Sequence, residues 1–193
     1  MVSAVVLAAG RSTRMRTQKL LLPLGDEPLV RRTVGAVTRA GYDEVLVVLG
    51  ADHEQILEAL DGLPVRHALN SDFASGMGSS FRTAVAHLPE SAAAMFALAD
   101  QPFITPAEYG SLLDAYRRSL TPIVSVRYGN VTAPPHLFAR QLFSELAVLE
   151  HGARSVLLRH RDVTTVLPFP ADRLVDIDTP EDYELAKARS LSG

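Results

Sequence analysis

A cluster of positively charged side chains follows the first apolar segment of the chain. Residues 4–7 are apolar and lead into a stretch that contains Gly10 and four cations, with no acidic residue before Asp26. The four cations are Arg11, Arg14, Arg16 and Lys19. A glycine-containing turn frees backbone N–H groups and nearby cations neutralise charge, so this segment is suited to binding a polyphosphate. Charge alone leaves a solvated surface loop as the alternative.

Two aspartates have the character of metal ligands. Asp100 directly follows an apolar segment that ends at Leu98, and Mg²⁺ prefers carboxylate oxygens together with substrate phosphates. A turn aspartate before Pro102 is the alternative for this position. Asp178 precedes Thr179, which is a good N-cap for a following helix. Helix capping explains the acidic residues after Thr179 but not Asp178, which makes Asp178 the second candidate ligand.

The composition restricts the class of protein. The 193 residues carry a formal net charge of −3, with 47% hydrophobic and 21% charged residues, as in an ordinary soluble enzyme. We expect one domain over 1–193. The positive loop runs against a weakly acidic whole, which favours a small anionic ligand and argues against nucleic acid as a partner.

Cysteine content and hydropathy bear on the cellular compartment. The chain has no cysteine, which excludes disulfides and thiolate chemistry and fits a reducing compartment. No apolar run approaches the ~18 residues of a membrane span. We therefore expect a cytoplasmic protein without a membrane partner.

Short apolar runs alternate with amphipathic segments along the chain. This alternation predicts an α/β fold, a Rossmann-like three-layer α/β/α arrangement around a mostly parallel sheet. The predicted strands are 4–7, 44–49, 65–69, 94–98, 123–126 and 163–167. The predicted helices are 29–39, 54–60, 79–87, 106–118, 138–149, 153–160 and one after 178, with a loop at 129–135.

Better-known motifs do not fit the sequence. A Walker A loop requires glycine directly before its lysine, and Gln18 stands there. The dinucleotide fingerprint is approximated from Gly76 onward, but Phe81 replaces its third glycine, so an oxidoreductase is the weakest alternative. The segment 76–80 still offers main-chain donors and two hydroxyls, unless it is only a flexible loop with a serine cap. No histidine pair has zinc-ligand spacing, and His136 is either structural or within reach of a site.

Together, these motifs resemble the signature of Rossmann-like nucleotidyltransferases, specifically the MobA-like family and its molybdenum cofactor cytidylyltransferases. The resemblance covers nearly the whole chain. It rests on Leu-Ala-Ala-Gly-x-Ser-x-Arg-Met at 7–15 with Lys19, Asn70 with Gly-Met-Gly-Ser-Ser at 76–80, Ala-Asp-Gln-Pro at 99–102, Gly-Ala-Arg at 152–154 and Asp-Ile-Asp-Thr-Pro-Glu-Asp at 176–182.

The resemblance implies a fold of the nucleotide-diphospho-sugar transferase type and a Mg²⁺-dependent reaction. Such enzymes move a nucleoside monophosphate from an NTP to a phosphorylated acceptor and release pyrophosphate. The implied substrates are CTP and molybdopterin, and a molybdoenzyme or its maturation factor is the implied partner. Two alternatives stay open: a transferase that acts on a sugar phosphate or another small phosphate, and a non-catalytic nucleotide-binding protein that assists molybdoenzyme maturation.

The resemblance also implies roles for single residues. Arg14, Lys19 and Asp100 would be catalytic, and Asp100 and Asp178 would hold Mg²⁺. The implied nucleotide-binding residues are Leu7, Ala8, Ala9, Gly10, Arg11, Ser12, Lys19, Asn70, Gly76, Met77, Ser79 and Ser80. Ala8 and Ala9 favour a pyrimidine, because a methyl group near the base narrows the pocket.

Overall fold

The computed structural model describes residues 1–12, 14–15, 17–88, 90–119 and 121–190. Its strands are β1 Val2–Ala8, β2 Pro23–Leu24, β3 Glu27–Pro28, β4 Glu44–Leu49, β5 Arg66–Leu69, β6 Ala93–Leu98, β7 Ile123–Tyr128, β8 Val131–Ala139 and β9 Thr164–Phe169. Its α-helices are α1 Leu29–Thr38, α2 His53–Ala59, α3 Met77–Ala86, α4 Pro106–Ser119, α5 Phe143–Ala147, α6 Arg154–Arg159 and α7 Pro180–Ser190.

A seven-stranded sheet forms the centre of the fold, in the order β5-β4-β1-β6-β8-β7-β9. β1 pairs in parallel with both β4 and β6, β5 extends the parallel part, and β9 is parallel to β7. Among the described strands of this sheet, β8 alone runs antiparallel to both of its neighbours, β6 and β7. The predicted mostly parallel α/β sheet is confirmed.

Helices cover both faces of this sheet. Successive side chains of a strand point to opposite faces, and β1 shows both environments. Ala4 and Val6 pack in one apolar cluster with residues of α1 and α4. Val5 and Leu7 pack in a second cluster with residues of α3 and α5. These two clusters confirm the predicted three-layer arrangement.

Two helices begin with a reciprocal capping pair, and the sequence predicted the capping residue of the second, Thr179. Thr105 Oγ1 accepts from the backbone N–H of Glu108, whose carboxylate accepts from the Thr105 backbone N–H. Thr179 and Asp182 form the same reciprocal pair before α7. Each pair satisfies N–H groups that a helix start leaves free, so α4 and α7 begin where the sequence predicts.

The prediction was wrong between residues 129 and 149. The expected loop at 129–135 belongs largely to β8, which returns from β7 through a turn at Gly129, where φ is +58°. The expected helix from residue 138 begins only at Phe143, because Phe138 pairs in the sheet with Ala94. The sequence did not reveal this strand, because two prolines at 134–135 interrupt its pattern. The β7–β8 register shifts beside them, which accommodates residues that cannot donate to the ladder.

No helix of the described residues is long and apolar enough to cross a bilayer.

Candidate active site

A cavity of about 300 Å³ opens beyond the carboxyl ends of β1 and β6. Ligands of open α/β sheets bind at this edge. The cavity is lined by Leu7, Ala8, Ala9, Gly10, Ser12, Arg14, Lys19, Leu20, Phe73, Gly76, Met77, Ser80, Leu98, Ala99, Asp100 and Asp178.

Oppositely charged side chains from three parts of the chain meet in this cavity. Lys19 Nζ donates to Asp100 Oδ2 at 2.6 Å and to Asp178 Oδ1 at 2.7 Å. Arg14 Nη1 lies 3.0 Å from Asp178 Oδ2. The Lys19 side chain is only 11% exposed, whereas that of Arg14 is 69% exposed. The structure thus brings together the four residues that the sequence singles out for catalysis and metal binding.

The sheet explains why these distant residues converge. β1 and β6 are adjacent and parallel, so the segments that follow them leave from the same edge, and the Ala99 N–H extends the ladder to the Leu7 carbonyl. The Ile177 N–H donates to the Asp100 carbonyl at 3.4 Å. Ile177 is fully buried, which anchors this segment and sets Asp178 beside Asp100.

The ion pairs shift the pKa of their members. Burial by itself would lower the pKa of Lys19, but the charges and hydrogen bonds of Asp100 and Asp178 raise it above its ordinary value. The hydrogen bond from Lys19 lowers the pKa of Asp178 below its ordinary value, and the charges of Lys19 and Arg14 add to this effect. Lys19 and Asp178 therefore both carry charge at neutral pH.

A third carboxylate adjoins this cluster and was missed as a site residue, although it stands in the Asp-Ile-Asp motif. Gln101 Nε2 donates to Asp176 Oδ1 at 2.8 Å. Burial raises the pKa of Asp176, the Gln101 hydrogen bond opposes this, and the charges of Asp100 and Asp178 raise the pKa further. Asp176 thus adds a third carboxylate beside the ion pairs that Asp100 and Asp178 form with Lys19 and Arg14.

The donor set fits a divalent cation. Asp100 Oδ1 is buried and has no hydrogen-bond partner among the described residues. A buried acceptor without a partner is costly, and a cation would satisfy it. The described part of the chain holds no group of three or more metal-ligating side chains. A protein usually contributes one or two carboxylates to a magnesium site, and substrate phosphates and water supply the other oxygen ligands.

Most of the predicted nucleotide-binding residues line the cavity, and three of them, Arg11, Asn70 and Ser79, do not. Those at the cavity run from Leu7 to Gly10, with Ser12, Lys19, Gly76, Met77 and Ser80. Arg11 instead lines a groove behind the loop. Asn70 and Ser79 are buried, and Asn70 Nδ2 donates to Ser79 Oγ at 2.8 Å and to Ser80 Oγ at 3.1 Å. Asn70 thus holds the serine that reaches the cavity. Arg16 lies outside the described residues.

Close backbone contacts support the cavity walls. A Cβ atom on Gly50, at the end of β4, would lie 2.6 Å from the Ala9 carbonyl oxygen. A Cβ atom on Gly78 would collide with the Leu149 carbonyl oxygen. Only glycine permits such approaches, so both positions serve the site without touching it. Gly78 lies within the segment 76–80 that the sequence singles out, but Gly50 belongs to no charged or polar pattern, so its spacing did not reveal it.

His136 lies inside the sheet and not in the cavity. It pairs with Phe96 of β6, and its Nδ1 is 3.0 Å from Ser125 Oγ. Burial lowers the pKa of His136 to about 4, so the ring is neutral at physiological pH. Of the two predicted roles for His136, the structure supports packing within the sheet.

Among the curated proteins that match this chain, one is named as an oxidoreductase and others as bifunctional GlmU proteins. The chain is 34% identical to nicotine blue oxidoreductase of Paenarthrobacter nicotinovorans over 134 residues, which are 69% of this chain and 65% of the relative. It also matches bifunctional GlmU proteins, of which it spans about a third in the case of Pseudoalteromonas atlantica (28% identity over 151 residues, 77% of this chain).

Solved structures match over almost the whole chain. Rv0371c from Mycobacterium tuberculosis H37Rv is 29% identical with a TM-score of 0.88, and 97% of each chain is covered. Its manganese complex matches with a TM-score of 0.81. A nucleotidyl transferase from Methanothermobacter, Mth528, is 25% identical with a TM-score of 0.87 over 100% of this chain and 98% of that one.

A family profile matches the segment that contains the loop, the central strands and Asp100. It covers residues 4–163 and describes the MobA-like NTP transferase domain. The chain belongs to the MobA-like NTP transferase domain family.

Proposed function

We propose that this chain is a nucleotidyltransferase that transfers CMP from CTP to the phosphate of a molybdopterin-type acceptor. The observation that carries the proposal is the convergence of Arg14, Lys19, Asp100 and Asp178 on one cavity beside the glycine loop. Cations beside a backbone turn suit a triphosphate, and paired carboxylates suit the cation that accompanies it. We infer that one domain, residues 1–193, does this work in the cytoplasm.

The proposed reaction is an in-line displacement at the α-phosphorus of the nucleotide. An oxygen of the acceptor phosphate forms the new bond, the bond from the α-phosphorus to the bridging oxygen breaks, and pyrophosphate leaves with that electron pair. Little covalent work falls to the protein, so positioning and charge neutralisation dominate.

The chain's residues divide this work. Arg14, which is largely exposed and close to the cavity mouth, would neutralise the outer phosphates, and Lys19 the charge that develops on the transferred and leaving groups. Asp100 and Asp178 would hold the divalent cation, which supplies further positive charge to the phosphate oxygens. We propose Mg²⁺ for this cation, and the manganese complex of Rv0371c supports a divalent ion in this fold.

The preference for a pyrimidine rests on the wall formed by Ala8 and Ala9. Both residues line the cavity and are buried, and Gly50 packs against Ala9, so the backbone of this wall is held in place. A small base suits such a wall better than guanine. The 149–150 backbone packs on Gly78, directly beside the cavity-lining Met77, and so supports the segment 76–80.

A pyrophosphate-release screen tests the proposal. CTP, GTP, UTP and ATP are each combined with Mg²⁺ and with molybdopterin, a sugar phosphate or no acceptor. We expect release that requires both CTP and molybdopterin. Release only with a sugar phosphate would instead establish the alternative acceptor class. Mg²⁺-dependent CTP binding without release under any acceptor would favour a non-catalytic accessory protein.

The relative named nicotine blue oxidoreductase favours one competing function, an oxidation or reduction, for which a nicotinamide dinucleotide is the cofactor to test. The cavity offers that reaction no dinucleotide fingerprint, because Phe81 stands in place of the third glycine. Titration with NADH and NADPH, followed by fluorescence and by oxidation at 340 nm with an electron acceptor, separates the two functions. We expect neither binding nor oxidation.

A further inference from the structure

Two residues other than glycine have a left-handed backbone in the described part of the chain. They are Ser12, with φ of +50°, and Asp52, with φ of +54°. Such a conformation is strained in a residue with a side chain and persists only where surrounding contacts hold it. Ser12 belongs to the loop that lines the cavity, whereas Asp52 lies between β4 and α2. The two residues are forty positions apart in sequence, and each needs contacts that hold its left-handed backbone.

The amide of Gln18 contacts both of them. Its Oε1 accepts from Ser12 Oγ at 2.8 Å, and its Nε2 donates to Asp52 Oδ2 at 2.9 Å. The Nε2 also lies 3.5 Å from the Gly10 carbonyl oxygen, and Oε1 accepts weakly from the Leu20 N–H at 3.4 Å. Gln18 is buried at 9% exposure. One side chain thus ties the glycine loop to the end of a neighbouring strand.

The contact chain continues to the charged cluster. Ser12 Oγ, which donates to Gln18, also accepts from the backbone N–H of Lys19 at 3.1 Å. The Lys19 ammonium then bonds Asp100 and Asp178. Gln18 and Asp52 line the groove behind the loop and not the cavity, so they act from outside the site.

We propose that Gln18, together with Asp52, is a positioning residue that holds the glycine loop and the Lys19 backbone in the arrangement that receives the nucleotide phosphates. This inference rests on the proposed function. The planar amide accepts from Ser12 through its oxygen and donates to the Asp52 carboxylate through its nitrogen. A carboxylate at position 18 would keep the first bond and turn the second into a repulsion between like charges.

Capping alone is the competing role. Gln18 is the N-cap of the short 3₁₀ turn Lys19–Leu21, where its side chain accepts from Leu20 N–H. A cap would affect stability, but it would not depend on the residue at position 52. The dependence on Asp52 therefore separates the two roles.

The test is a reversal of polarity between the two positions. In Gln18→Glu the carboxylate faces Asp52, and we expect the Kd for Mg·CTP to rise by roughly tenfold or more, since a charge-assisted bond is lost. Asp52→Asn alone keeps an acceptor for the Gln18 amide, so we expect a rise of about threefold or less. In the double variant the amide introduced at position 52 can donate to the carboxylate introduced at position 18, and we expect affinity to return to within about threefold of wild type.

A control variant and a second measurement make the outcome decisive. Gln141→Glu introduces the same chemical change at an exposed position of another short turn, and we expect unchanged affinity. Hydrogen exchange of the nucleotide-free protein over residues 8–22 should accelerate in Gln18→Glu and recover in the double variant. This second measurement is independent of the proposed reaction.

Failure of the double variant to recover slow exchange would overturn the positioning role, as would slow exchange in Gln18→Glu itself. If wild-type protein binds no nucleotide but the exchange data show the rescue, the proposed function fails while the Gln18–Asp52 support of the loop stands.

Discussion

At the scale of single residues, one ammonium group holds the site together. Lys19 is shared by Asp100 and Asp178, and its side chain is almost fully enclosed. We expect Lys19→Ala and Asp100→Asn to lower the rate of pyrophosphate release by ~100-fold or more, the scale of one lost electrostatic contact. Both variants should keep the wild-type circular dichroism spectrum.

Residues of the same types outside the site provide the controls for these two variants. Lys187 is paired within its own helix with Glu184, and Asp61 lies on the surface. Lys187→Ala and Asp61→Asn should therefore release pyrophosphate at the wild-type rate. Wild-type rates in Lys19→Ala would remove this residue from the catalytic machinery.

Gly10 provides a second test at this scale. A Cβ atom there would meet no heavy atom of the described residues within 4 Å, yet the position lines the cavity. We expect Gly10→Ala to leave the free energy of unfolding within about 0.5 kcal/mol of wild type, as for a surface substitution. Nucleotide affinity should fall, because the methyl group occupies space that backbone N–H groups need for phosphates. Isothermal titration with Mg·CTP and urea unfolding measure both quantities, and undiminished affinity would contradict this placement.

At the scale of elements, a substitution at Gly50 should lower stability, which a substitution at Gly10 should not. Its added methyl would press on the Ala9 backbone at 2.6 Å, so the ends of β4 and β1 must separate. We expect Gly50→Ala to lose about 1–3 kcal/mol of unfolding free energy, the usual cost of overpacking, together with nucleotide affinity. Urea unfolding of the two glycine variants side by side gives the comparison. Equal stabilities would show that the β4 end does not support the loop.

The elements also show what the sequence could predict. Periodicity located β1, β4 and β6 and the helices between them, because buried parallel strands are continuous apolar runs. It missed β8, where Pro134 and Pro135 interrupt the pattern and pairing with β6 decides the structure. The site shows the same division. Charged motif residues such as Lys19 and Asp100 were predictable. Gln18 acts through side-chain hydrogen bonds and Gly50 through a close backbone contact, and only the tertiary structure reveals these.

At the scale of the whole molecule, buried His136 makes stability depend on pH. Its pKa falls from 6.5 to about 4 on folding, so the unfolded chain binds more protons between these values. The stabilising contribution is complete above pH 6.5 and is lost as the pH falls toward 4, and the loss amounts to about 2 kcal/mol at pH 5. Urea unfolding at pH 7.5 and pH 5 of wild type and His136→Gln measures this, and we expect a smaller change in the variant. An equal change in both proteins would assign the effect to other groups.

A crystal structure of the protein with CTP and Mn²⁺ tests the account most directly, because the anomalous signal of manganese locates the ion without ambiguity. We predict one ion bound by Asp100 and Asp178, with the triphosphate along Gly10 and Lys19 and the base against Ala8 and Ala9. An ion on other residues, or a nucleotide outside this cavity, would contradict the account.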